Sequence, residues 1–466
     1  MSETGQTAAA RMPLLAKVFY ASDHIGLQAI SYFRQSWILF FLVPPLGEGI
    51  ARVPDVSLLG FDVDARVFAG FLIGAGRLID AFTDPLIGWW SDRTRSRWGR
   101  RIPFILFSTP FYALFAAMIW ILPNEGASLW NALYFVIVLE LFFTAATMSS
   151  GALEALVPEV TRGASDRMNL VGLIYVLAIL GALIGLGGGG PLIDMLGFQT
   201  VGIILAVIGV VFRYLSLAAV WKYAPRDTAP ARVNFLRGMK ETLSNPQFVY
   251  YLPTFVMFTT GVGVMMGWVP FFTSQLLMAE DEGALSGVIF VVVIGGAVIS
   301  GLTSWGLISW RGISKRRVYG VCLVASGVAF PLLALVGLFS EGGLVLQGLI
   351  LAFIAGLPMA AVFMLPKGLT ADIADYDAMI TGERREAMFY ATQNFFEKVT
   401  FALPPVILSN ILLLGDTTEN PLGIRLAPVV AGILALLGIA LWHRYRLPDT
   451  VNRETVAAAG LMRTPG

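Results

Sequence analysis

Charge is scarce in this chain. Of its 466 residues only 14% are Asp, Glu, Lys or Arg, while 56% are hydrophobic; a soluble globular protein carries about 25% charged residues. A soluble chain of this length divides into two or three domains with polar surfaces, and the residues to cover such surfaces are missing. Cysteine is nearly absent. Cys322 stands alone in an apolar run, which excludes a disulfide framework and a cysteine-based metal site. Histidine occurs twice, at His24 and His443, so zinc chemistry has almost no ligands and no nucleophile–histidine triad is visible. The net charge of +1 supplies no bulk field for nucleic acid. No filter motif or ring of like charge suggests a channel. The chain is therefore expected to be neither an enzyme nor a nucleic-acid binder, and no cofactor is expected. The opening residues, MSETGQTAAARMPLLAKVF, lack the charged region, apolar core and cleavage site of a signal peptide. The first apolar helix is accordingly read as an uncleaved membrane span.

What is present is a series of long apolar runs. A membrane span needs roughly 20 mostly apolar residues. Twelve such runs lie at about 22–44, 67–90, 103–122, 129–157, 168–192, 197–221, 249–275, 284–308, 317–338, 344–369, 385–412 and 424–443. They are numbered here as spans one to twelve. One alternating set of loops holds Arg93, Arg95, Arg97, Arg100 and Arg101, then Arg162 and Arg167, then Lys222 to Lys240, then Arg311 to Arg317, then Arg384 and Arg385. The other set holds only Arg52, Arg66 and Arg425 among acids such as Glu125, Asp194, Glu280 and Asp281. Basic loops stay on the cytoplasmic side, which places both termini there.

The longest internal loop, 222–248, divides the chain into two halves of six spans. Gly88-Trp-Trp-Ser91-Asp-Arg93-Thr-Arg-Ser96-Arg97 matches Gly306-Leu-Ile-Ser309-Trp-Arg311-Gly-Ile-Ser314-Lys315, each at the cytoplasmic end of the second span of its half. Two related six-helix halves are the layout of the major facilitator type. The expected fold is thus an all-α membrane protein of twelve transmembrane helices in two six-helix bundles, 22–221 and 249–443. A cytoplasmic tail (1–21), a cytoplasmic linker (222–248) and a second cytoplasmic tail (444–466) complete the chain.

A charge at the bilayer centre costs about 2.5–3.5 kcal/mol on insertion scales, so each one inside a span needs a reason. Span two holds Arg77, Asp80 and Asp84, with Thr83 beside the acids. Asp80 and Asp84 are four apart and share one helical face. Two carboxylates and a hydroxyl suit a small hard cation, and two close buried carboxylates can instead share a proton. Arg77 could simply neutralise Asp80, but that leaves Asp84 unexplained. At the repeat-equivalent positions stand Val298 and Leu302, so the acids are not a scaffold requirement. Arg34 lies mid-span with Ile30, Ser31, Trp37 and Ile38 at helical spacing; its partner is Glu140, another span, or an anionic group on a substrate. Lys398, near the middle of span eleven, either pairs with Glu397 or faces a cavity. Arg213, near the cytoplasmic end of span six, is expected to snorkel to the interface.

The loops at the cytoplasmic face suggest a gate. Asp92, Arg93, Arg97, Arg100 and Arg101 can pair in one transport conformation and release in the other. Asp372, Asp375, Arg384 and Arg385 supply matching charges in the second half.

Arg77-Leu-Ile-Asp80-Ala-Phe-Thr-Asp84-Pro85-Leu-Ile-Gly88, followed by Ser91-Asp-Arg-Thr-Arg-Ser-Arg-Trp98-Gly99-Arg100-Arg101-Ile-Pro103, resembles the glycoside–pentoside–hexuronide:cation symporters, the melibiose-carrier group. Asp372-Ile-Ala-Asp375-Tyr376-Asp377, Thr381-Gly382-Glu-Arg384-Arg385-Glu386 and Lys398 resemble the span ten-to-eleven signature of the same family. The resemblance implies a sodium site at Asp80, Thr83, Asp84 and Thr147, with the ion held at Asp80 and Asp84 and Lys398 close by. Its sugar-binding positions are altered. They fall on Gln28, Ser150, Glu154 and Tyr175, where the melibiose carrier has two acids, a tryptophan and an arginine. Arg34 and Lys398 are added as substrate positions. The Asp-x-x-x-Asp-Pro motif, the lysine and the run from Gly99 to Pro123 are also similar to animal sodium-coupled lysophospholipid carriers, in which an apolar cavity around Arg34 would take an amphipathic anion.

The expected function is therefore import of a small glycoside, sugar or uronate-like solute coupled to Na⁺ or H⁺, in a bacterial inner membrane, by a monomer whose partners are its substrate and membrane lipid. A sodium-coupled carrier of a lysophospholipid-like anion is the alternative within transporters. A non-transporting receptor or assembly factor in a transporter fold is the alternative outside them.

Overall fold

The computed structural model describes residues 12–47, 49–58, 60–161, 163–224, 235–340, 342–383 and 385–461. Helix accounts for most of it. Span one is Asp23–Leu42, span two Ala65–Arg93, span three Ile102–Met118, and span four Leu129–Ala146 with a π-helical continuation Thr147–Gly151. Span five begins as Gly163–Ala182 and passes through a π turn, Leu183–Gly188, into Gly189–Val220. Within that last stretch Gly197, at φ +76°, turns the chain from span five into span six; a left-handed backbone angle of this kind favours glycine. Spans seven to nine are Pro246–Phe271, Glu282–Arg311 and Lys315–Leu332; span ten comprises Leu344–Gly356 and Ala360–Thr381; spans eleven and twelve are Glu386–Leu412 and Leu422–Trp442. The twelve helical stretches follow the twelve apolar runs.

Several helices present an apolar stripe to their surroundings. Leu129, Leu133, Ile137 and Leu141 on span four, and Ile203, Val207 and Val211 on span six, recur every four residues and are all exposed. Residues at that spacing share one face, and a contiguous apolar face of this extent belongs against lipid.

The chain divides into two compact units, one of residues 1–34 and 79–232, the other of 35–78 and 233–466. The division passes through the middle of spans one and two. In the first unit, span one lies tightly against span five. A Cβ at Gly185 would stand 2.4 Å from the Ala29 carbonyl oxygen, and one at Gly181 2.5 Å from that of Ile25. Only glycine permits this approach. Near one end of the unit, Tyr20, Ile105, Leu153, Leu170, Leu217 and Val220 form a buried cluster. Residues 14–21, read from the sequence as tail, form a helix docked onto this end. Lys17 on it pairs with Asp166, and the Tyr20 hydroxyl donates to the Leu153 carbonyl at 2.5 Å.

In the second unit the core is aromatic. Tyr319 and Trp442 lie 4.7 Å apart by ring centroid, Trp442 and Tyr445 4.5 Å, and Trp268 and Phe272 4.3 Å. Gln35–Leu78 belongs to this unit: Phe40 packs edge-on against Phe271 at 5.2 Å. It includes a two-stranded antiparallel hairpin, Val56–Leu58 with Phe61–Val63, between spans one and two.

Candidate functional site

Asp80 sits at the middle of span two and is buried, with 1% of its surface exposed. The hydroxyl of Thr147, from span four, donates to its Oδ1 at 3.2 Å. The Thr83 hydroxyl, half-buried one turn along from Asp80, donates to the Asp80 backbone carbonyl at 3.1 Å. Its proton is thus directed along its own helix. The structure therefore brings Asp80, Thr83 and Thr147 together. The Asp84 side chain lies outside the described residues. Thr147 opens the π-helical segment Thr147–Gly151. A π turn interrupts the α-helical ladder and reorients the side chains it bears; such turns recur at functional sites. Carboxylate and hydroxyl oxygens at this spacing can ligate a small hard cation or hold a proton.

Arg34 is buried on span one at 3% exposure. Its guanidinium carbon lies 4.9 Å from the ring centroid of Phe143 and 5.9 Å from that of Phe142, both on span four. Cation–π contact of this kind contributes about 0.5–2 kcal/mol, more where water is excluded. Glu140 is half-buried on the same span. Gln28 is also half-buried; a Cβ at Gly181 of span five would stand 3.0 Å from its Cβ. Two other expected substrate positions are open to the surroundings: Glu154 is exposed, and Tyr175 is 37% exposed.

In the second unit, Lys398 is half-buried on span eleven. One turn further, Phe401 receives the guanidinium of Arg77 at 5.6 Å from its ring centroid. The face of span eleven that bears Lys398 is thus also the face that Arg77 reaches.

The expected gate residues form ion pairs inside each unit. Arg100 and Arg101 both reach Glu159 Oε1, at 2.5 and 3.0 Å. Arg97 is exposed with its guanidinium 4.7 Å from the Trp98 ring, and Arg93 is exposed. In the second unit Lys315 pairs with Asp372, and Arg385 bridges Asp377 at 2.8 Å and Glu241 at 3.1 Å. Asp375 is exposed. Hydrogen bonds from Arg237 and Arg385 hold the Glu241 carboxyl below its ordinary range. The Asp92 side chain and all of Arg384 lie outside the described residues. Glu159 and Glu241 were not singled out in the sequence, because an acid in a cytoplasmic loop gives no signal until its partner is placed.

Arg213 departs from expectation. It does not snorkel: it is fully buried, paired through Nε with Asp23 of span one, and donates to the hydroxyls of Ser149 and Ser150 on span four. Position along the helix suggested the interface, but the side chain points across the bundle toward an acid the sequence does not connect to it. Ser150, expected at the substrate, is thereby engaged by Arg213 at 3.0 Å.

Residues 19–449 match a family model described as MFS/sugar transport protein. Among curated proteins, the chain is 23% identical to the sodium-dependent lysophosphatidylcholine symporter 1 of Gallus gallus over 84% of this chain and 81% of that one. It is 23% identical to a glucuronide carrier protein homolog of Escherichia coli over 83% and 86%. Among solved structures, a peptide transporter POT in complex with sulfate superimposes with a TM-score of 0.66 at 12% identity, covering 95% of this chain and 98% of that one; this likeness concerns the fold.

Proposed function

The chain belongs to the MFS/sugar transport protein family, and on that premise we propose that it is a cation-coupled symporter importing a small glycoside, sugar or uronate-like solute by alternating access. The carrying observation is the approach of Thr147 to the buried Asp80. A carboxylate sequestered inside an apolar bundle is costly, and a hydroxyl from a second span completes an oxygen set that a desolvated Na⁺ or H⁺ would use. Asp80, Thr83, Asp84 and Thr147 bind the coupling ion. Arg34 binds an anionic group of the substrate, which favours uronates within the sugar class; Gln28 is a further contact in the same unit, and Lys398 is a substrate position on span eleven. The basic loops lie in the cytoplasm together with both termini, in a bacterial inner membrane, and the carrier works as a monomer. The glucuronide carrier homolog among its relatives supports the solute class.

A second reading, sodium-coupled transport of a lysophospholipid-like anion, is favoured by one observation. Arg34 lies against Phe142 and Phe143, a cationic and apolar surrounding fit for an amphipathic anion. The lysophosphatidylcholine symporter among the relatives supports it. A thermal-shift screen of sugars, uronates and lysolipids, with and without Na⁺, separates the two, because a ligand that binds only the folded state raises its melting temperature. Stabilisation by glucuronides in the presence of Na⁺ is the expected result. Stabilisation by lysolipids alone selects the second reading, and no response to any of them points to a non-transporting role.

A further inference from the structure

Arg213 uses every nitrogen of its guanidinium. Nε meets Asp23, Nη1 the Ser149 hydroxyl and Nη2 the Ser150 hydroxyl at 3.0 Å. Its carbon lies 5.0 Å from the ring centroid of Tyr112 on span three. The Ser149 hydroxyl gives its own proton to the Ala145 carbonyl at 2.9 Å, so it receives Arg213 on a lone pair. Arg213 and Asp23 are 0% and 1% exposed. Such a pair is expensive to desolvate, and an apolar replacement is often as stable. Fold stability alone gives a weak account of it.

Its position gives a better one. Ser149 and Ser150 sit inside the π turn Thr147–Gly151, and Thr147 at the start of that turn bonds Asp80. A π turn has a looser hydrogen-bond ladder than the α-helix on either side, so the orientation of Thr147 depends on what holds the turn. One rigid, planar donor from span six holds two consecutive residues of it. We propose that Arg213, neutralised and aimed by Asp23, is a positioning residue for the coupling-ion site: it fixes the π turn of span four and so sets the Thr147 hydroxyl against Asp80. The proposal rests on the assignment of Asp80 and Thr147 to that site. Arg213 touches neither ion nor Asp80; it acts through Thr147.

The test is titration of the melting temperature of the purified full-length protein with NaCl, choline chloride keeping ionic strength constant. Five variants are compared with wild type: Asp80→Asn, Thr147→Val, Arg213→Lys, Arg213→Lys combined with Thr147→Val, and the charge-neutral double change Asp23→Asn with Arg213→Gln. Asp80→Asn should abolish the response. Arg213→Lys keeps the charge but loses the planar fork, and should raise the half-saturating Na⁺ concentration on the order of tenfold, equivalent to about 1.4 kcal/mol. Combined with Thr147→Val, it should add no further shift. A Na⁺ response retained by Asp80→Asn overturns the ion-site assignment and the proposal with it, and a Na⁺ response missing from wild type rules out Na⁺ at that site and overturns the positioning role proposed for it. Loss of response in Asp80→Asn together with a wild-type midpoint in Arg213→Lys leaves the site standing and overturns the positioning role. Additive shifts from Arg213→Lys and Thr147→Val overturn it likewise. The neutral double change reads the same midpoint without an uncompensated buried charge; a wild-type midpoint there also overturns the role. The starting melting temperature does not enter, so a purely structural role would leave the midpoint where it is.

Discussion

Arg66 grips Asp416 with two hydrogen bonds, from Nε at 2.8 Å and from Nη2 at 3.0 Å. The pair ties the start of span two to the turn after span eleven. Its acid is buried, with a side chain 3% exposed. Below it the two helices close to glycine distance: a Cβ at Gly70 would stand 2.7 Å from the Pro405 carbonyl, and one at Gly74 2.8 Å from that of Ala402. In the proposed orientation this is the outer end of both helices.

The two halves of this pair are not equivalent. Arg66 has a second acid, Asp64, at 3.2 Å; Asp416 has no such alternative among its hydrogen-bonded cations in the described residues. Removal of Arg66 strands a buried carboxylate, and Arg66→Gln should cost about 3–5 kcal/mol of stability. Asp416→Asn should cost about 1 kcal/mol or less, since an amide still accepts from Arg66. Burial raises the Asp416 carboxyl above its ordinary range, outweighing Arg66. The clamped state therefore takes up a proton more readily than the unfolded one. Its contribution to stability is full below the ordinary carboxylate range and is lost as pH rises through the raised value. The melting temperature of wild type should therefore rise relative to that of Asp416→Asn as pH falls toward ~4. Equal damage from Arg66→Gln and Asp416→Asn would contradict this account.

Burial reverses the ranking of two cations that depth alone suggests. Arg213→Ala leaves Asp23 buried without its cation and should lower stability by about 3–5 kcal/mol. Lys398→Ala, on a half-buried position, should leave the melting temperature within a few degrees of wild type while coupled uptake fails. Cell-surface yield and uptake, measured on the same samples, distinguish a folding defect from a transport defect.

Arg34→Gln should weaken substrate binding on the order of tenfold with little change in the melting temperature of the empty protein. A double-mutant cycle with Glu140→Gln, read on melting temperature, measures how much of the stability Arg34 supplies runs through Glu140. Strong coupling together with unchanged substrate affinity would remove Arg34 from the site and make Glu140 its structural partner.

At the proposed cytoplasmic face, Glu159 holds Arg100 and Arg101 together. Neutralising Arg97, Arg100 and Arg101 should remove pairs that shut this face in the other conformation. Reactivity from the cytoplasm of a single introduced cysteine, in a background lacking Cys322, should then rise. Glu159→Gln frees the same arginines for those pairs, so reactivity should fall. Shifts of the same sign in both variants, or none, would rule out a gate built on these residues.

The spans were legible because an apolar run of about twenty residues has one physical reading in a chain with so little charge. The Asp80 face was legible for the same reason, a pair of acids at helical spacing where acids are costly. The Asp23–Arg213 pair was not. Both residues are visible as charges in spans one and six, but periodicity does not say which helices adjoin. The π turn that carries Thr147 was hidden as well; the string Thr-Met-Ser-Ser-Gly has no period that separates it from an ordinary helix turn. The hairpin at 56–63 carried a weak signal in Val56, Leu58, Phe61 and Val63 around Gly60, overshadowed by the spans on either side. Asp416 carries no signal in the sequence, since its partner Arg66 is 350 residues away in the chain.

Uptake into proteoliposomes under an imposed gradient tests the central claim most directly. Purified protein is reconstituted, and a labelled glucuronide is followed with Na⁺ high outside, with a proton gradient alone, and with neither. Wild type should accumulate the solute above its external concentration only when one of the cation gradients is present, and Asp80→Asn should fail to accumulate it under any of them. Accumulation by Asp80→Asn equal to wild type, or wild-type uptake indifferent to both gradients, would contradict coupling through Asp80 and Thr147.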